Sequence, residues 1–166
     1  MASTLLIGYG NPGRLDDGLG PACAKAVEAL GLPGVTVEAN YQLNVEDAAQ
    51  LAEHDVVVFV DASVSAREPF EIETIEPAGR ISFTTHSVEP GSLLTMARDL
   101  YGEVPRAYMV AIRGYEFNEF EERLSERATE NLSAAVRFLA ETIGDDLSRD
   151  DAAAARAPGP IEGAEP

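Results

Sequence analysis

Val56-Val57-Val58-Phe59-Val60 is a run of five apolar residues with no polar break. A strand with one wet face alternates apolar and polar residues. A run without alternation is buried on both faces, as in the middle of a parallel sheet covered by helices on each side. The run stops at Asp61. Ligands of open α/β sheets bind beyond the carboxyl ends of the strands, where strand order reverses. An aspartate there is therefore a candidate for chemistry. It could equally cap the next segment or close an Asx-turn, and both readings stand at this point.

The rest of the chain supplies the partners such a strand needs. Leu5-Leu6-Ile7 is a brief buried strand, broken by Gly8. Leu19, Cys23, Val27 and Leu30 recur at helical spacing, with Pro21 in the first turn and Gly31 and Pro33 at the end. Val35-Thr36-Val37 is a second short strand, and Asn44 is placed to cap a helix from Val45 to Ala52. Phe70, Ile72 and Thr74 alternate with Glu71 and Glu73, as expected of a half-exposed strand near a sheet edge. Ile81 to Thr85 reads as another short extended piece, leading to His86. Pro90 opens a helix through Leu93, Leu94, Met96, Ala97 and Leu100, and Ala107 to Ile112 is a further strand. Ser125 caps the longest helix, whose stripe is Ala128, Leu132, Val136, Leu139 and Ile143, with Gly144 at its end. This rhythm predicts an α/β fold with a mostly parallel sheet and helices on both faces. A flavodoxin-like order 2-1-3 sets the first strand beside Val56–Val60. Residues 1–144 form one expected domain; 145–166, rich in Asp, Ala, Gly and Pro, read as a disordered tail.

Charge removes whole classes of partner. The 166 residues carry 12 basic and 29 acidic side chains, a formal net charge of -17. Nucleic acid and anionic membrane surfaces both require cationic contacts, so neither is expected. Lys25 is the only lysine and Cys23 the only cysteine. A lone cysteine on the apolar stripe of its helix is a core residue, and its solitude suits a reducing cytoplasm. No early apolar run is long enough for a signal peptide or a membrane span.

Between the first strand and the first helix lies Gly8-Tyr9-Gly10-Asn11-Pro12-Gly13, then Asp16-Asp17-Gly18-Leu19-Gly20. The glycines match the dinucleotide fingerprint G-x-G-x-x-G in letters. Pro12 removes one N–H from the turn, and two carboxylates stand where phosphates would approach. The turn is better read as one that faces a cation and lets a backbone come close at Gly8, Gly10 and Asn11. Of the two carboxylates, Asp16 is assigned to capping the helix and Asp17 to the crevice. His54 lies at the surface, whereas His86 stands between Thr85 and Ser87 just before a helix. Asp17, Asp61 and His86 together are a two-carboxylate, one-imidazole set, which suits a divalent transition metal with open positions. No Ser, Thr or Cys occupies a nucleophile motif, so covalent hydrolysis is not expected.

At these residues the chain resembles the NiFe-hydrogenase maturation proteases. The resemblance rests on Gly8-Tyr9-Gly10-Asn11 followed by Asp16-Asp17-Gly18-Leu19-Gly20, on Asp61 closing a Val-rich strand, and on His86 before a leucine-rich helix. It extends to Arg113-Gly114-Tyr115-Glu116-Phe117 with Leu124-Ser125, and spans Leu5 to Ile143. It implies a three-layer α/β/α fold around a twisted, mostly parallel five-stranded sheet. It implies a cytoplasmic monomeric endopeptidase that removes a C-terminal peptide from the precursor of a hydrogenase large subunit once nickel is inserted. By position, Asp17, Asp61 and His86 would read the nickel, which the substrate brings, and serve the cleavage. Many members carry a glutamate at the place of Asp17. The turn after Asp61 departs further: Ala62-Ser63-Val64-Ser65-Ala66-Arg67-Glu68-Pro69-Phe70 stands where the family has glycines and a Pro-Gly. The competing class is a response-regulator-like phosphoacceptor or a nucleotide-binding module using the same acidic crevice. A phosphoacceptor site needs a lysine late in the chain, and none follows Lys25.

Overall fold

The computed structural model describes residues 2–80 and 88–143. His86, the extended piece expected at 81–85 and the tail expected from 145 lie outside the described residues. Five strands form one sheet: β1 (Thr4–Tyr9), β2 (Val35–Asn40), β3 (Val56–Ser63), β4 (Phe70–Ile75) and β5 (Arg106–Arg113). Their spatial order is β2-β1-β3-β5-β4. The first four of these in space run parallel, and β4 closes the edge antiparallel to β5. The 2-1-3 order expected from the sequence is therefore the order found.

Among the described residues four helices cover the sheet: α1 (Leu19–Ala29), α2 (Asp47–Ala52), α3 (Pro90–Tyr101) and α4 (Glu126–Ile143). A single 3-10 turn, Leu15–Gly18, precedes α1. Successive strand residues face opposite sides, and the core divides accordingly. Leu6, Val58 and Val60 pack with α1 and α4, around Leu19, Cys23, Val27 and Leu139. Leu5, Ile7, Val57 and Phe59 pack with α2 and α3, around Leu51, Leu93 and Leu94. Val56 to Val60 are all buried, as the unbroken apolar run required. Burial lifts the Cys23 thiol to about 12, which keeps it an inert core group.

Two local expectations shift. The second helix starts at Asp47 and not at Val45. Asn44 and Val45 instead form turns whose carbonyls accept the Asp47 and Ala48 N–H groups. The Asp47 carboxylate accepts the Asn44 N–H at 2.9 Å and so closes the turn before the helix, whose N-cap is Glu46 without a side-chain cap bond. The third strand does not end at Asp61 but runs on to Ser63, paired with β5 throughout. Ser125 does cap α4: its hydroxyl accepts the Ala128 N–H at 3.3 Å. Among the described residues no helix is long and apolar enough to cross a membrane.

Candidate active site

The crevice forms at the carboxyl ends of β1 and β3, the point where the chain, having gone from β1 outward to β2, crosses back to β3. Its geometry begins with glycines. A Cβ on Gly8 would lie 2.0 Å from the Gly20 carbonyl oxygen, and one on Gly20 would lie 2.3 Å from the Tyr9 oxygen. Only two facing glycines let α1 approach β1 this closely. Gly10 has φ of +143°, and a Cβ there would lie 2.1 Å from the Asp17 oxygen. The glycines at 8 and 10 are thus required by the chain's own backbone.

The turn between them holds itself shut. Gly10 N–H donates to the Asn40 carbonyl, Asn11 N–H to the Asp17 carboxylate at 2.9 Å, and Gly13 N–H to the Asn11 side chain at 2.9 Å. A dinucleotide motif needs such N–H groups free for pyrophosphate. Here they are already engaged, so the letter match at residues 8–13 does not form a phosphate cradle.

Leu15 then takes a positive φ of 50° while buried, an uncommon state for a residue with a bulky side chain. Its N–H donates to the Glu121 carbonyl at 3.0 Å, which helps hold it there. Beyond this bend the two aspartates diverge. Asp16 is fully buried. It accepts the Ser125 N–H at 2.7 Å, the Ser125 hydroxyl at 2.7 Å, and the Tyr115 and Glu116 N–H groups at 2.8 and 3.0 Å. The sequence reading gave Asp16 to its own helix. It instead caps the start of α4 and the turn before it, about a hundred residues away. Burial alone would raise its pKa, but the donors from Ser125, Glu116 and Tyr115 outweigh that and lower it. Gly114 leaves room for this contact, since a Cβ there would lie 2.9 Å from Asp16 Cβ.

Asp17 is only partly buried, and its carboxylate accepts the Asn11 N–H. Asp61 stands one position past the Gly8–Val60 pair, beside Tyr9 and on the same face as Ile7 and Phe59. Its carboxylate accepts the Ala62 N–H at 2.8 Å. Burial pushes its pKa up to about 7, and the nearby charges of Asp17 and Glu89 add to the rise. The Ala62 N–H and the Tyr9 hydroxyl work against it without prevailing. Burial first, then the charges of Asp61 and Glu89, raise the Tyr9 phenol. The structure therefore brings Asp17 and Asp61 together, with Tyr9 and Glu89 added. Tyr9 was hidden inside the glycine motif, where alternation along β1 and the register to β3 could have revealed it. Glu89 heads α3 three residues after His86, with extended backbone. Among the described residues no three His, Cys, Asp or Glu side chains are grouped as a metal cage.

The turn after Asp61 is firmly held. The Ser63 hydroxyl accepts the Ala66 N–H at 2.9 Å, and Arg113 donates to the Ala66 carbonyl at 2.9 Å. Tyr115 donates its hydroxyl to Glu68 at 2.5 Å and accepts from Asn131 at 2.9 Å. The guanidiniums of Arg113 and Arg127 lie 5.0 and 4.4 Å from its ring centroid, within cation–π range. Arg127 also pairs with Glu68.

No family model matches the chain, and no curated protein matches its sequence. Solved structures do match. The NiFe hydrogenase maturation protease HycI from Thermococcus kodakarensis KOD1 superposes with a TM-score of 0.66 at 23% identity, over 87% of this chain and 94% of that one. A hydrogenase 2 maturation peptidase from a Thaumarchaeota archaeon gives 0.65 at 22% identity, over 87% and 99%. The hydrogenase maturating endopeptidase HybD from E. coli gives 0.60 at 21% identity, over 84% and 91%. The chain has the fold of these proteins across nearly their whole length.

Proposed function

We propose that this protein is an endopeptidase of the hydrogenase-maturation kind, which removes the C-terminal peptide from the nickel-loaded precursor of a NiFe-hydrogenase large subunit. The observation that carries the reading is the meeting of Asp17 and Asp61 at the switch point of a fold shared with proteins named as maturation peptidases. Nickel is here part of the substrate, delivered by the precursor. Asp17, Asp61 and His86 are the residues assigned to meet it.

The chemistry of the pair supports this. Two carboxylates within each other's field favour a divalent cation, because its charge relieves their repulsion and the burial cost of Asp61. A carboxyl group whose pKa lies near 7 is matched to taking a proton from an attacking water, and the cation favours the ionised form of Asp61 that can do so. Asp17, fixed through Asn11, supplies the second charge. Water is the attacking group in this scheme because no side-chain nucleophile stands in a recognisable motif. The proton it loses passes to the Asp61 carboxylate and then to the leaving amine. A precursor lacking nickel leaves the carboxylates unrelieved and is not cut.

The test is incubation with nickel-loaded and nickel-free large-subunit precursor, read as a mass shift. Cleavage of the loaded form only is expected. Equal cleavage of both would refute metal sensing, and cleavage of neither would refute the peptidase. Asp17→Ala, Asp61→Ala and His86→Ala should each keep the fold, by circular dichroism, and lower the rate by about 10²–10⁴-fold. Normal processing by all three would remove these residues from the mechanism.

A further inference from the structure

Against the turn that carries Asp17 there is a cleft of about 210 Å³ between α1 and the strand-to-helix segment before α4. Pro12, Pro21, Ala22 and Leu124 give it an apolar lining, and Gly18 completes the wall toward Asp17. Its rim carries Lys25 on one side and Glu122 with Arg123 on the other. Small-molecule pockets usually measure about 300–1,000 Å³. This volume is below that range and suits one apolar side chain of a larger partner.

The charges on the rim are unequal. Arg123 is already engaged, with Glu121 at 3.0 Å and Glu116 at 3.5 Å. Lys25 is exposed and has no hydrogen bond or ion pair among the described residues. It is the only lysine of a chain whose net charge is -17. A free ammonium beside an apolar recess selects a carboxylate next to an apolar side chain, against the repulsion of Glu122 on the same rim and of the acidic surface around it. The cleft shares a turn with the candidate active site, since its lining residues Pro12 and Gly18 directly follow Asn11 and Asp17 in the chain.

We propose that this cleft is a docking site for the precursor, taking an apolar residue adjacent to an acidic one from a segment away from the cut bond. The inference rests on the peptidase reading. The precursor would then straddle the Asn11–Gly18 turn, with its metal on the Asp61 side and its anchor on the Lys25 side. Such an anchor contributes to binding and leaves the chemical step alone, so it appears in KM and not in kcat.

The experiment compares wild type, Lys25→Glu and Lys25→Arg on nickel-loaded precursor, with cleavage kinetics, direct binding by titration and thermal unfolding. Lys25→Glu should raise KM and weaken binding by about 3- to 10-fold, with kcat and unfolding unchanged. Lys25→Arg should restore both, and the gap should close at about 1 M salt, where the Debye length is about 3 Å. Wild-type cleavage with an unchanged KM in Lys25→Glu would overturn the cleft and leave the peptidase reading standing. Wild type that neither binds nor cuts the precursor would overturn both. A loss confined to kcat would also overturn the cleft, since docking cannot produce it.

Discussion

Asp16 and Asp61 are both withdrawn from solvent, and their surroundings push them in opposite directions. Asp16 accepts four hydrogen bonds, from two backbone turns and the Ser125 hydroxyl, and its pKa falls. Asp61 accepts the Ala62 N–H and the Tyr9 hydroxyl, feels two other acids, and its pKa rises to about 7. One carboxylate has every partner it needs. The other is short of positive charge, and that shortage marks a place for a cation or a proton. Adjacent aspartates in the sequence divide in the same way: Asp16 faces inward, and Asp17 lies partly open beside Asp61.

The largest effect expected from this contrast is on stability. Asp16→Ala strands several buried donors at the start of α4 and should cost about 3–5 kcal/mol in urea unfolding. A loss under about 1 kcal/mol would show that the fastening is not what holds the turn.

A smaller effect is a pH dependence with two limbs. The lowered pKa of Asp16 makes its contribution full above 3.8 and lost as pH falls through its folded value. Asp61 acts in the reverse sense. Between 3.8 and about 7 the folded protein keeps a proton that the unfolded chain has released, so stability declines as pH rises through that window. One such group gives a slope of at most about 1.4 kcal/mol per pH unit. Asp61→Asn should flatten this decline in metal-free protein while leaving the acid limb in place. An unaltered slope between pH 4 and pH 7 in denaturant titrations would contradict the burial argument for Asp61.

The smallest effect tests the Tyr9 contact. Tyr9→Phe keeps the ring packed against Ile7 and Phe59 and removes only the hydroxyl facing Asp61. Stability should change by about 0.5–1.5 kcal/mol at most. Because the hydroxyl works against the rise at Asp61, the NMR-monitored titration of that carboxylate should move to higher pH. A shift to lower pH would reverse the assigned direction.

How much of this the sequence disclosed depends on the distance over which each residue acts. Val56–Val60 reports its own environment, since burial on both faces demands an unbroken apolar run, and the parallel centre of the sheet followed from it. The Phe70–Thr74 alternation likewise located an edge strand. Asp16 could not be read this way. Its partners at 115, 116 and 125 are 99 to 109 residues away, and a local rule offered the nearest helix instead. Tyr9 was missed because a glycine motif draws attention to its glycines, although its register beside Asp61 follows once β1 and β3 are paired. The place of β5 between β3 and β4 needed tertiary packing, because both neighbours are compatible with its apolar run.

The contact of Gly8 with Gly20 has a consequence for how freely this protein can change. Backbone meets backbone there, so the placement of Asp17 does not depend on any side chain filling a gap. The rim can therefore be rebuilt without moving the centre. Residues 62–69, which follow Asp61, are fastened by side chains from elsewhere, with Arg113 on the Ala66 carbonyl and the Tyr115 hydroxyl on Glu68. Substitutions should be tolerated in that turn far better than at the two facing glycines. The fold separates a part that must not vary from a part that can, and the division runs between adjacent loops of one crevice.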